Sequence, residues 1–173
     1  MTKKERERNL LQMLEKSIEN DFDEMSLFTS EELGTEMDVF RVLETGYGSA
    51  LTDALGEFFF RPYDDSESDV MLFSAVITLT TKLTAKYVPT LAAGIAKLNF
   101  YLPCGGFAIN ADETTLAFRL SQVCYKSQSD EEILRQLKDC VGLAFGAPEQ
   151  YAGMLLKMAE GGVSLKELSV LFP

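Results

Sequence analysis

The alternation of apolar and polar positions centres the chain on Val70–Thr80. Met71, Phe73, Ala75, Ile77 and Leu79 fall on one face of this stretch, and Val70, Leu72, Ser74, Val76 and Thr78 on the other. The first set is wholly apolar; the second is apolar for half its length and then turns polar. The stretch is too short to span a bilayer and too rich in β-branched and aromatic residues for a good helix. It predicts a central strand, covered by helices on the Met71–Leu79 face and half covered on the other.

Residues 39–45 predict a first strand, ended by Gly46 and Gly48, although a helix also fits them. Residues 56–63 predict a second, ended by Pro62, which cannot donate to a ladder. Residues 64–69 supply the turn into the central strand, giving an antiparallel meander. Further on, Gly106–Asn110 and residues 114–124 alternate about a turn at 110–113. In the latter stretch Leu116, Phe118 and Leu120 share one side, and Thr115, Ala117, Arg119, Ser121 and Val123 the other, as expected of a sheet with one wet face.

Helical spacing takes over elsewhere. Leu10, Leu11, Leu14 and Ile18 predict an amphipathic helix over residues 3–20. Residues 21–30 are acidic but hold Phe22, Met25, Leu27 and Phe28, too many large apolar groups for a disordered tail, so they should lie against the body with room for a short helical turn. Leu91, Ile95, Leu98 and Leu102 predict a helix with Pro89 in its first turn, closed by Pro103 and Gly105-Gly106. Ser129 and Glu132 form a capping box ahead of Ile133, Leu137, Cys140, Val141 and Ala144. Gly146 to Pro148 should break that helix. Another, carrying Tyr151, Leu155 and Met158, should run from Pro148 to Gly161, with a last short helix opened by Ser164 and Glu167. The expected fold class is α+β: one domain over residues 1–173, with an antiparallel sheet of about five strands flanked by helices in the order α-β-β-β-α-β-β-α-α. Residues 1–38 form its N-terminal helix plus acidic connecting segment.

Composition narrows the chemistry. A chain of 173 residues buries roughly 70% of its unfolded surface without staples. A net charge of −11 would repel phosphate backbones, so nucleic acid is not an expected partner. Lys3, Lys4, Arg6 and Arg8 are interleaved with Glu5 and Glu7 and read as the solvated start of a helix. Cys104, Cys124 and Cys140 are odd in number, widely spaced and without a CxxC, which predicts reduced thiols and a cytoplasmic setting. The first residues lead into no apolar signal core, and no run of about 18 apolar residues predicts a membrane span. The chain has no histidine, which removes Ser-His-Asp, Cys-His and His-metal schemes. Its glycines form no phosphate-binding loop. Asp64, Asp65, Glu67 and Asp69 lack EF-hand spacing and read as a solvated hairpin tip. Cys104 lies near a helix end, where nothing activates a thiol. No catalytic, cofactor-binding or metal-ligating residue is assigned. The run Phe58, Phe59, Phe60 places aromatics on both faces of its strand: one face fills the core, and the other can form an exposed patch. With Ala117, Arg119 and Val123, these residues make the candidate protein-binding surface.

In the stretch 98–110, Asn99, Leu102, Pro103, Gly105, Gly106 and Phe107, followed by Leu116 and Arg119, resemble the helix-to-hairpin signature of the YbjN family. Those proteins are similar in fold to type III secretion chaperones, and the resemblance spans residues 70–168. It implies an acidic cytosolic protein that dimerises and holds extended polypeptide against apolar patches, without catalysis or cofactor. The expectation is thus a non-enzymatic, homodimeric protein-binding module. The alternatives are a small-ligand sensor with a pocket between the sheet and the C-terminal helices, and an enzyme using only carboxylates, Tyr, Lys and Arg, whose mark would be a perturbed carboxylate pair in one cleft.

Overall fold

The computed structural model describes residues 1–62, 68–110 and 114–171. The chain runs α1 (Lys3–Ser17), β1 (Glu24–Phe28), α2 (Ser30–Leu33), β2 (Val39–Tyr47), β3 (Thr52–Phe60), β4 (Val70–Thr80), a 3-10 turn (Ala85–Tyr87), α3 (Val88–Asn99), β5 (Gly106–Asn110), β6 (Thr115–Tyr125), α4 (Asp130–Ala159) and α5 (Leu165–Leu171). The strands form one antiparallel sheet in the order β1-β2-β3-β4-β6-β5.

The central strand is where its pattern places it. Met71, Phe73, Ala75, Ile77 and Leu79 are buried, under α4 and its neighbours, while Val70, Leu72, Val76 and Thr78 remain half-buried. The covered face gathers Phe40, Phe58, Phe73, Phe118 and Phe145 with Leu137 and Leu155 of α4 into one continuous core. Gly56 lets the helix approach closely: a Cβ there would stand 2.8 Å from the Phe145 ring. Such burial, at roughly 25 cal/mol per Å² of apolar surface, is the main stabilising term.

α1 is fastened by arginines as well as by Leu10, Leu11 and Leu14. The Arg6 guanidinium donates to Asp130 Oδ1 (2.8 Å), the Lys126 carbonyl (2.6 Å) and the Gln128 carbonyl (2.7 Å), tying α1 to the start of α4. Arg8 donates to both oxygens of buried Asp38 (2.7 and 3.0 Å) and to Glu31 (2.8 Å), and Asp38 also accepts the Ser30 N–H. Arg6 and Arg8 are therefore engaged rather than merely solvated.

Three expectations need correction. The sheet has six strands, not about five, because the acidic stretch before Val39 contributes β1, so the element order gains a strand and a short helix before β2. The helix does not break at Gly146 to Pro148; α4 continues for 30 residues. Pro148 has no N–H for the Ala144 carbonyl, yet the Tyr47 hydroxyl donates to the Phe145 carbonyl in the same turn, and Ala144, Phe145, Pro148, Ala152 and Leu155 are all packed on the core. α3 ends at Asn99, leaving Leu102 outside it. The turns expected at 64–69 and 110–113 fall largely outside the described residues.

Candidate functional site

Every large helix packs on one side of the sheet. The opposite face, formed by the alternate residues of all six strands, is covered by no large helix among the described residues. It is neither a second core nor a wholly polar surface. Leu43, Leu55, Phe59, Leu72 and Val76 are half-buried, and Val123 and Tyr125 are 42% and 48% exposed.

Polar side chains knit this face together. Arg41 and Glu57 lie directly opposite each other on β2 and β3 and pair at 2.9 Å; the Arg41 guanidinium also sits 5.1 Å from the centre of the Phe28 ring. Arg61 donates through Nε to Ser74 Oγ at 2.8 Å, and Ser74 Oγ lies 3.2 Å from Ser121 Oγ. Ser74 is only 1% exposed, flanked by Phe59 on β3 and Ser121 on β6 and bonded by Arg61 just past the end of β3. Arg119 stands exposed between Val76 and Gly106, with no ion pair among the described residues. Three of the chain's six arginines thus lie on this one face of an acidic molecule. Two open depressions score it: one beside Phe28, Arg41, Leu43 and Leu55, the other beside Glu57, Val76, Ala108, Ala117 and Arg119.

The residues singled out from sequence divide between the faces. Phe58 and Phe60 point into the core, 0% and 3% exposed, and so do not belong to a binding surface. Strand alternation makes that unavoidable once Phe59 faces out. Phe59, Ala117, Arg119 and Val123 share the open face; Ala117 is buried among its strand neighbours, and Val123 and Arg119 are exposed. Sequence reasoning missed Arg41, Glu57, Arg61 and Ser74. Arg41 sits at the outward position between Phe40 and Val42, and that alternation was the available signal.

Burial pushes the Cys124 thiol up to about 11 and the Cys140 thiol to about 12, away from the reactive thiolate. Cys124 and Cys104 add to the rise at Cys140. No group of three His, Cys, Asp or Glu able to hold a metal ion occurs among the described residues. Glu7 is raised by burial, with nearby Asp38 adding to the rise, while Asp38 itself is lowered by its hydrogen bond from Arg8. These two carboxylates share a hollow whose volume is about 20 Å³, room for about one water. The space between sheet and α4 is filled by Phe58, Phe73, Phe118 and Phe145. No helix among the described residues is long and apolar enough to cross a membrane. The chain matches no protein-family model, and no curated protein is significantly similar to it.

Proposed function

We propose that this chain is a non-enzymatic protein-binding module that works as a homodimer in the cytoplasm and holds an extended polypeptide against the open face of its sheet. The observation that carries the reading is the uncovered six-stranded face, with half-buried Leu43, Leu55, Phe59, Leu72 and Val76 set among Arg41, Arg61 and Arg119. Apolar side chains on a pleated surface give an extended segment its contacts, and exposed Arg119, with no ion pair among the described residues, favours a segment carrying a carboxylate. The buried thiols suit a reducing compartment. The resemblance of residues 98–110 to the YbjN signature points the same way.

The test is selection of linear peptides from a random displayed library, followed by affinity measurement against wild type and the Leu72→Asp and Val76→Asp variants. Both positions are half-buried on the open face and outside the core. The reading expects peptides rich in aromatic and acidic residues whose affinity falls about tenfold or more on either variant. Peptides that bind the variants as tightly as the wild type, or a library that yields no binder, would overturn it.

A further inference from the structure

We propose that two copies of this chain join edge to edge through β1, pairing antiparallel about a dyad at Ser26. The union makes one continuous sheet and leaves the open face uncovered. The inference rests on the homodimer part of the functional reading and supplies the surface that reading lacks.

In an antiparallel sheet the backbone groups of successive residues turn alternately to one neighbouring strand and the other. The Arg61 N–H to Leu72 carbonyl bond, 2.8 Å, fixes that phase between β3 and β4. Carried through the registers to β2 and β1, it turns Glu24, Ser26 and Phe28 toward β2 and leaves Met25 and Leu27 facing outward. Carried through β6 to β5, it leaves Phe107 and Ile109 facing outward. The two edges of the sheet are finished differently. On β5 the Asn99 side chain accepts the Phe107 N–H at 2.8 Å and donates to the Phe107 carbonyl at 3.0 Å. An amide has the shape of a peptide group, so Asn99 stands where a further strand would lie and blocks that edge at Phe107. On β1 the Ser26 hydroxyl donates to the Met25 carbonyl at 2.7 Å. The Met25 N–H and both backbone groups of Leu27 have no partner among the described residues.

The occupant that fits this edge is β1 itself. A dyad at Ser26 sets Met25 of each copy opposite Leu27 of the other, so all outward groups of both strands meet in four backbone hydrogen bonds. Glu24 then falls opposite the second copy's Phe28, over whose ring an Arg41 guanidinium sits at 5.1 Å. Each Arg41, already paired with Glu57 of its own chain, therefore gains a second carboxylate across the dyad. Half-buried Met25 and Leu27 meet on the other face of the ribbon. Moving the dyad to Met25 or Leu27 would leave one outward residue beyond the partner strand and would lose the Glu24–Arg41 exchange.

The full chain is measured by sedimentation equilibrium as wild type, Glu24→Arg and Ser26→Cys, and the cysteine variant is then treated with a mild thiol oxidant. A Ser26 pair on the dyad is a non-hydrogen-bonded pair, with Cα atoms about 4.5 Å apart and within reach of a disulfide. The expected results are a wild-type dimer, a weakening of about tenfold in Glu24→Arg, and covalent dimer formation in Ser26→Cys about tenfold faster than in wild type or in Asn110→Cys on the β5 edge. A dimer whose Ser26→Cys variant gains no such cross-link would overturn this edge and leave the homodimer reading standing. A strict monomer would overturn both, with peptide binding by the open face still decided by its own measurement.

Discussion

The two faces of this sheet are built from the same strands with the same alternation, yet they meet opposite fates. On the covered face the inward residues of β3, β4 and β6 are Phe58, Phe73, Ile77 and Phe118, each fully buried beneath α4. On the open face their immediate neighbours are Phe59, Leu72, Ser74 and Arg119. Apolar area is present on both, but the open face also carries Arg41, Arg61, Ser74 and Ser121, knitted to one another and to Glu57, and an exposed Arg119. Such a mixture of apolar and polar groups is what the proposed docking surface requires.

That contrast is broken most severely at neighbouring residues of one strand. Phe73→Ala should lower the free energy of unfolding in urea by about 3–5 kcal/mol, whereas Leu72→Ala, one residue away on the open face, should cost less than about 1.5 kcal/mol. Equal losses would mean that the open face is covered in solution. Gly56→Ala sharpens the same point. Its Cβ would meet the Phe145 and Phe58 rings at 2.8 Å, so those packed rings must shift, and a loss of about 1–3 kcal/mol is expected in the same assay.

The covered side also carries the pH dependence. Asp38 is lowered by its hydrogen bond from Arg8, an effect that burial opposes. Its contribution is therefore complete above the ordinary aspartate range and disappears as pH falls through its depressed value. Asp38→Asn should lose about 1–3 kcal/mol at pH 7 and much less at pH 3, read from paired urea titrations. Glu7 has the opposite sign. Burial raises it, so its charged form weakens the fold at neutral pH. Glu7→Gln should gain up to about 1 kcal/mol at pH 7 and nothing below about pH 4. The smallest effect belongs to the open face: a double-mutant cycle on Arg41 and Glu57 should return a coupling of about 0.2–1 kcal/mol that shrinks with salt.

Much of the fold was legible because alternation and helical spacing are strong in the segments that bury most. The two faces of β4, the Ser129–Glu132 box and the β5–β6 hairpin all follow from such patterns. β1 was not read, although Glu24, Met25, Ser26 and Leu27 alternate, because acidic neighbours and a five-residue length mask so short a signal. Pro148 misled for another reason: local propensity argues for a break, and only the tertiary packing around Phe145, with the Tyr47 hydroxyl on its carbonyl, keeps the helix whole. The site was half legible. Sequence marked Phe59, Arg119 and Val123, but the run of three phenylalanines could not show which ones faced out until the register of β3 was known. The Arg61–Ser74–Ser121 chain joins three strands, and no local pattern announces it.

The most direct test of the central claim is methyl chemical-shift mapping of the full chain as a selected peptide is added. Docking on the open face predicts shifts at Leu43, Leu55, Leu72, Val76 and Val123, with Leu91, Leu137 and Leu155 in the core unmoved. Shifts confined to the helix side, or spread evenly through the core, would contradict it.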